Sequence, residues 1–232
     1  MGFNSINMIN KIAIICPTYG RPNSFNQIFE NWQQHNTSLS DFYFVFEEDE
    51  AHLQQQTQAK SIIAPSGTRG MVRPLNFAAN ILSQHYNYIL FVGDDHRFRT
   101  ADWDSQFMQA FENLSGTGYV YAPEGYHNEK LATACAFSTN IVRAIGYACL
   151  PALKHLFVDV YWMDMMAELG KAYLPHVFIE HMHPVYGKSN WDENYTAVND
   201  TAIGEHDKQT YEHWKKTQKL YDIASIKTTL NL

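Results

Sequence analysis

The sequence predicts an α/β fold, a mostly parallel central sheet with helices on both faces. Two observations predict it. Short, nearly continuous apolar runs recur through the first half of the chain, and helix-periodic segments alternate with them. A strand with one wet face alternates apolar and polar residues, so unbroken runs belong to strands buried on both sides.

Lys11-Ile-Ala-Ile-Ile-Cys16 is the first strand, stopped by Pro17, and Phe25, Ile28, Phe29 and Trp32 then fall at helical spacing. The second run, Phe42 to Phe46, closes on Glu47-Glu48-Asp49-Glu50, which reads as a solvated acidic loop. Ser61-Ile-Ile-Ala64 is the third, followed by Gly67-Thr68-Arg69-Gly70 and a helix through Leu75, Ala78, Ala79 and Leu82. The fourth, Tyr88-Ile-Leu-Phe-Val92, runs into Gly93-Asp94-Asp95-His96, and Trp103, Phe107, Ala110, Phe111 and Leu114 mark the next helix. Beyond it the pattern predicts strands at 119–122, 131–137 and 176–182 and helices at 140–144, 162–169 and 205–221. Residues 186–204 read as a polar, mobile loop.

With 232 residues the chain fits one domain, expected over 11–204, with an N-terminal extension at 1–10 and a C-terminal helix and tail at 205–232. Seventeen Lys and Arg against 24 Asp and Glu give a net charge of −7, so nucleic acid or an anionic membrane would need a local basic patch. Cys16, Cys135 and Cys149 lack metal or redox spacing and are expected as buried, idle thiols. No stretch has the ~18 apolar residues of a membrane span, which predicts a soluble, cytoplasmic protein with no membrane partner.

Ligands of such sheets sit beyond the carboxyl ends of the strands, so the polar clusters after strands one, two and four should converge. Asp94 and Asp95 at a strand end supply a metal ligand or cap a turn. His181-Met-His183 on a strand would put two imidazoles on one face, as metal ligands or as a satisfied buried pair. A carboxylate with one imidazole suits Mn²⁺ or Mg²⁺; zinc, which gathers three or four N/S ligands, is second. Gly67 to Gly70 with Arg73 and Asn76 is an anion cradle or a solvated basic turn, and Lys188 after Gly187 a phosphate clamp or a surface residue. One or two carboxylates of Glu47 to Glu50 lie where a base or ribose would be held. Asp159, alone in Leu156-Phe-Val-Asp-Val160, is a helix cap or a base with a raised pKa. Arg143, Met163, Met165 and Met166 read as packing.

Cys16-Pro-Thr-Tyr-Gly-Arg-Pro22, Arg69-Gly-Met-Val-Arg73 through Asn76, Gly93-Asp94-Asp95, Val158-Asp159 and Glu180-His-Met-His-Pro184, taken in order, resemble family-2-type glycosyltransferases of the GT-A fold. The likeness covers about residues 11–195 and is to short soluble phage or bacterial members. It implies a GT-A-like (Rossmann-like) sheet and metal-dependent transfer of a sugar from a nucleotide-diphosphate sugar to a hydroxyl. By that resemblance Pro17, Thr18, Tyr19, Arg21, Glu47, Asp49, Arg69, Gly70, Arg73, Asn76, Asp94 and Lys188 bind the donor. Asp95 with His181 or His183 holds the metal, and Asp159 is the base. One base and one displacement imply inversion. The sequence departs from the family in lacking a strict D-x-D and in carrying Val158 where Glu is usual.

The implied acceptor is a soluble glycan, a protein or a hydroxymethylated base in DNA. The last would need Arg69, Arg73, Arg97 and Arg99 to form a stripe beside Tyr126, Trp191 and Tyr195. A catalytically inactive nucleotide-sugar or carbohydrate-binding module is disfavoured by the full set of Asp94, Asp95, Asp159 and histidines. A nucleotidyltransferase is disfavoured because Pro17-Thr-Tyr-Gly-Arg21 is no glycine-rich, lysine-bearing loop.

Overall fold

The structure, a computed structural model, describes residues 8–67 and 69–232. Residues 1–7, most of the expected extension, and Thr68 of the expected cradle lie outside the described residues. In order along the chain come β1 (Ile9–Pro17), α1 (Asn26–His35), β2 (Ser40–Glu47), β3 (Lys60–Ala64), α2 (Val72–Leu82), β4 (Tyr86–Phe91), β5 (His96–Phe98) and α3 (Trp103–Asn113). Then follow β6 (Tyr119–Tyr121), β7 (Cys135–Ser138), α4 (Thr139–Ile145), α5 (Val158–Leu169), β8 (Lys171–Tyr173), β9 (Ile179–His181), α6 (Glu193–Val198), α7 (Thr201–Thr217) and α8 (Lys219–Leu230).

Seven strands form one sheet in the order β3-β2-β1-β4-β7-β6-β8, and β5 pairs with β9 in a small antiparallel ribbon. Pairings among β1, β2, β3 and β4 are parallel, as is β6 with β8, while β7 is antiparallel to both neighbours. The predicted α/β architecture is therefore the observed one. The continuous run in β1 is explained by its two covered faces. Ala13 and Ile15 pack with α2, α4 and α5, Ile12, Ile14 and Cys16 pack with α1 and α3, and all five are 0% exposed. Strand order reverses between β1 and β4, the place where such sheets open a crevice.

The second half departs further from expectation. The segment 186–204 is largely helical: Asp192 accepts the Tyr195 N–H and caps α6, and Asp200 accepts the Ala202 N–H and caps α7. The helix expected at 205–221 is a pair, α7 and α8, turned at Gln218. Buried Asp222 fixes that turn by accepting from Trp214 Nε1 (2.7 Å) and the Tyr147 hydroxyl (2.6 Å). The acidic cluster after β2 opens a 3₁₀ helix, Glu48–Gln56, anchored by buried Leu53. Asp104, fully buried, accepts from the N–H groups of Thr37 and Leu39 and the hydroxyls of Thr37 and Ser40, tying the α1–β2 loop to α3. The three cysteines are free and buried. Among the described residues no helix is long and apolar enough to cross a membrane.

Candidate active site

At the β1/β4 switch point lies a cavity of about 320 Å³. Its lining includes Pro17, Thr18, Tyr19, Arg21, Glu47, Arg69, Gly70, Asp94, Asp95, Asp159, His181 and His183 of the residues singled out above. Asp49, Arg73, Asn76 and Lys188 stand outside it.

The chain turns directly after β4. The His96 N–H bonds the Gly93 carbonyl, and the Gly93 N–H bonds Nδ1 of His96. A Cβ on Gly93 would lie 2.5 Å from Oδ1 of Asp95 and 3.2 Å from Nδ1 of His96, so any larger residue there would displace these two side chains. The turn aims both carboxylates into the cavity, where a straight strand would have sent them to opposite faces. Their environments differ. Asp94 accepts from the Thr18 hydroxyl (2.7 Å) and from Nη1 of Arg21, and burial pushes its carboxyl up against the pull of Arg21. Asp95 faces Nε2 of His181 at 3.1 Å and accepts from the Tyr195 hydroxyl at 2.8 Å. Burial would raise its carboxyl too, yet His181 holds it well below the usual carboxylate range.

Ligand atoms of Asp95, His96 and His181 lie within 4.8 Å of one another, the one such metal-capable group among the described residues. His96 is less suited to it than Asp95 and His181, because its Nδ1 already accepts the Gly93 N–H and its ring lies stacked on that of His181, 4.3 Å between centroids. His181 Nδ1 is buried without a partner. The expectation that His181 and His183 share a strand face does not hold: β9 stops at His181, and His183 instead caps the 3₁₀ helix Pro184–Tyr186 through Nδ1. Its ring still packs 5.2 Å from that of His181 and 4.9 Å from that of Tyr195.

Asp159 lines the cavity in the first turn of α5 and accepts the Val160 N–H (2.8 Å). The cap position itself belongs to Phe157, a bulky residue held at φ +64°, where strain must be sustained by neighbours. Asp207 sustains it by accepting the N–H groups of Lys154, His155 and Leu156, and the Phe157 ring stacks on Tyr211. Burial pushes the Asp159 carboxyl above its ordinary value.

The strap from 191 to 199 closes one side. Arg21 donates from Nε to Asp192 (2.9 Å) and lies 4.1 Å over the Tyr195 ring, so α6 is fastened to the loop after β1 and, through Tyr195, to Asp95.

Other expected donor residues are already engaged. Glu47 is buried and takes Nη2 of Arg73 (2.6 Å) and the Gly67 N–H. Asp49 accepts from the Tyr19 hydroxyl, whose ring lies under Arg69. Gly70, at φ +138°, lies so close to the Lys154 carbonyl that a Cβ would collide with it, so its role is close backbone approach. Asn76 joins α2 to the Cys149 carbonyl and the N–H groups of Ala148 and Cys149. Lys188 pairs with Glu180 (2.9 Å), which also takes Arg99. Arg97 donates to the Asp94 and His96 carbonyls and to Gln27, so Arg97 and Arg99 form no free basic stripe. His96, Glu124, Asp192 and Asp207 went unnoticed as site-forming residues. Of these, His96 stands beside the carboxylate pair and Asp192 carries the ordinary signal of a cap, while Asp207 lies inside α7 and takes its partners from residues 154–156.

No protein-family model matches the sequence, and no curated protein does. Solved structures do match. A Staphylococcus TarS structure (S. aureus) with UDP-GlcNAc superposes with a TM-score of 0.63 at 10% identity, covering 95% of this chain and 72% of that one. The mannosyltransferase PcManGT of Pyrobaculum calidifontis, with GDP-Man and Mn²⁺, gives 0.53 at 11% identity over 95% and 74%. Glucosyl-3-phosphoglycerate synthase of Mycobacterium tuberculosis, with Mn²⁺, UDP-glucose and phosphoglyceric acid, gives 0.56 at 12% identity over 87% and 79%. These likenesses are of fold: the chain has the GT-A fold of nucleotide-sugar glycosyltransferases.

Proposed function

We propose that the chain is a metal-dependent glycosyltransferase that moves a hexosyl or pentosyl group from a nucleotide-diphosphate sugar to a hydroxyl acceptor. The observation that carries this reading is a single cavity at the switch point in which Asp95 and His181 face each other and Asp159 stands as a further carboxylate. The matching structures with UDP-GlcNAc, GDP-Man and Mn²⁺ support it through their shared fold.

Pro17, Thr18, Tyr19, Arg69 and Gly70 line the donor side, with Glu47 at its edge. Asp95 and His181 are the residues that would hold the ion, with His183 beside them, and a carboxylate with an imidazole suits Mn²⁺ better than Mg²⁺. An ion held there would supply charge neutralisation for the departing nucleoside diphosphate. Arg21 is the cation of the same wall, held now by Asp94 and Asp192. Asp159 takes the proton of the acceptor hydroxyl while its oxygen bonds to the anomeric carbon and the bond to the diphosphate oxygen breaks. A single displacement of this kind inverts the anomeric centre. Its raised pKa suits a base working near neutral pH. A glycan ranks ahead of a hydroxymethylated DNA base as acceptor, since the net charge is −7 and Arg97 and Arg99 are engaged internally. The three free, buried cysteines favour a reducing compartment and support the reading of a cytoplasmic reaction.

The test is thermal unfolding with a panel of nucleotide sugars, with and without Mn²⁺. A donor that raises Tm only with Mn²⁺, and not in Asp95→Ala, is the expected result. Absence of any stabilising donor, or equal stabilisation of the variant, overturns the reading. Product anomeric configuration by NMR then decides inversion.

A further inference from the structure

Resting on that reading, we propose that an aromatic ladder at the cavity mouth, built of Tyr126, Tyr186 and Trp191, is the acceptor subsite and takes the pyranose face of an uncharged glycan. Tyr126 and Trp191 are 62% and 55% exposed, and Val185 between them in the chain is 62% exposed. Large apolar side chains left in water side by side mark a binding surface. The rings are ordered: Tyr126 stacks on Tyr186 with centroids 4.2 Å apart and planes 18° from parallel. Tyr186 packs 5.8 Å from His183, and His183 packs 6.1 Å from Trp191.

The ladder continues the cavity, whose lining includes His183, Val185, Tyr186 and Asp159. One end is set before any ligand arrives. Buried Glu124 accepts through Oε1 the N–H groups of Tyr126, His127 and Asn128, fixing the turn that carries Tyr126. Pre-organised rings spare the ordering cost of binding.

The charge around the ladder selects the ligand class. Lys188, beside it in sequence, is paired with Glu180, which also holds Arg99. A nucleic acid strand needs free cations for its phosphates, and the chain carries a net charge of −7. Tyr and Trp faces without cations instead fit the C–H face of a sugar, with the ring polar edges reaching water or the glycan hydroxyls.

The experiment is retention of labelled protein on an array of neutral oligosaccharides, with hydroxymethylated duplex DNA as a parallel probe. It is run for the native chain and for Tyr126→Ala and Trp191→Ala. Retention on neutral glycans that falls about tenfold or more in each variant is the expected result. Glycan retention unchanged by both substitutions, retention on no neutral glycan, or retention on the DNA alone each overturns the proposal. Donor-induced Tm shifts on the same samples judge the donor site separately. If no nucleotide sugar stabilises the native chain, glycosyl transfer fails, and the glycan arm still decides the ladder.

Discussion

Along β1, β2 and β4 the wall of the cavity rises from strands covered on both faces, and the charges at its rim are locked in pairs: Arg21 with Asp94, Arg73 with Glu47. The facing wall rises from the β6–β7 loop, β9, three residues long, a 3₁₀ turn and α6, and sets Tyr126 and Trp191 in water. The first wall draws its stiffness from the core, the second from a few side-chain oxygens, those of Glu124 and Asp192 among them. Changes on the first wall should therefore cost chemistry or stability, and changes on the second should cost recognition while the fold stands.

The largest test lies between the walls. Asp159→Asn should lower the transfer rate by roughly 10²–10⁴-fold at unchanged donor affinity, measured with labelled donor. A loss of donor affinity with turnover kept would move Asp159 to the binding wall. Next, Asp95→Ala should cost roughly 10²–10³-fold in transfer and abolish the Mn²⁺-dependent Tm shift. Full activity in excess EDTA would break the metal reading.

The contrast in stiffness is sharpened by two carboxylates. Asp104→Ala leaves the N–H groups of Thr37 and Leu39 and the buried Ser40 hydroxyl without their acceptor and should destabilise by about 3 kcal/mol in urea unfolding. Asp192→Ala removes the α6 cap and should cost about 1 kcal/mol. Equal losses would erase the distinction. The smallest effect lies away from both walls. Asp164 accepts from the Tyr211 hydroxyl and pairs with Lys215 and Lys219, partners that, against its burial, hold its carboxyl below the ordinary value. A depressed folded pKa gives stability that is present above the unfolded value and lost as pH falls through the folded one. Asp164→Asn should flatten that acid limb, by roughly 0.5 kcal/mol.

The same contrast governs what could be read from the residues. Strands of five or more residues with a continuous apolar run announce themselves, so β1 to β4 and the helices between them are legible, and with them the clusters at the strand ends. Three-residue β5 and β8 carry too little pattern to register. The strap through α6 reads as polar and mobile because its order comes from Arg21 and Asp95, 171 and 100 residues away from their partners, which no local window contains. The side-by-side aim of Asp94 and Asp95 depended on the Gly93 turn, and the pairing of His96 with His181 on the β5–β9 ribbon.

The buried thiols have a practical consequence. Maleimides react with thiolates, and burial pushes the thiols of Cys16, Cys135 and Cys149 up and hides them. The native chain is thus silent to thiol-directed dyes without any cysteine being removed. Trp191→Cys, at an exposed position beside α6, becomes a unique attachment point for a fluorophore that would report any separation of the strap from Asp95 in real time.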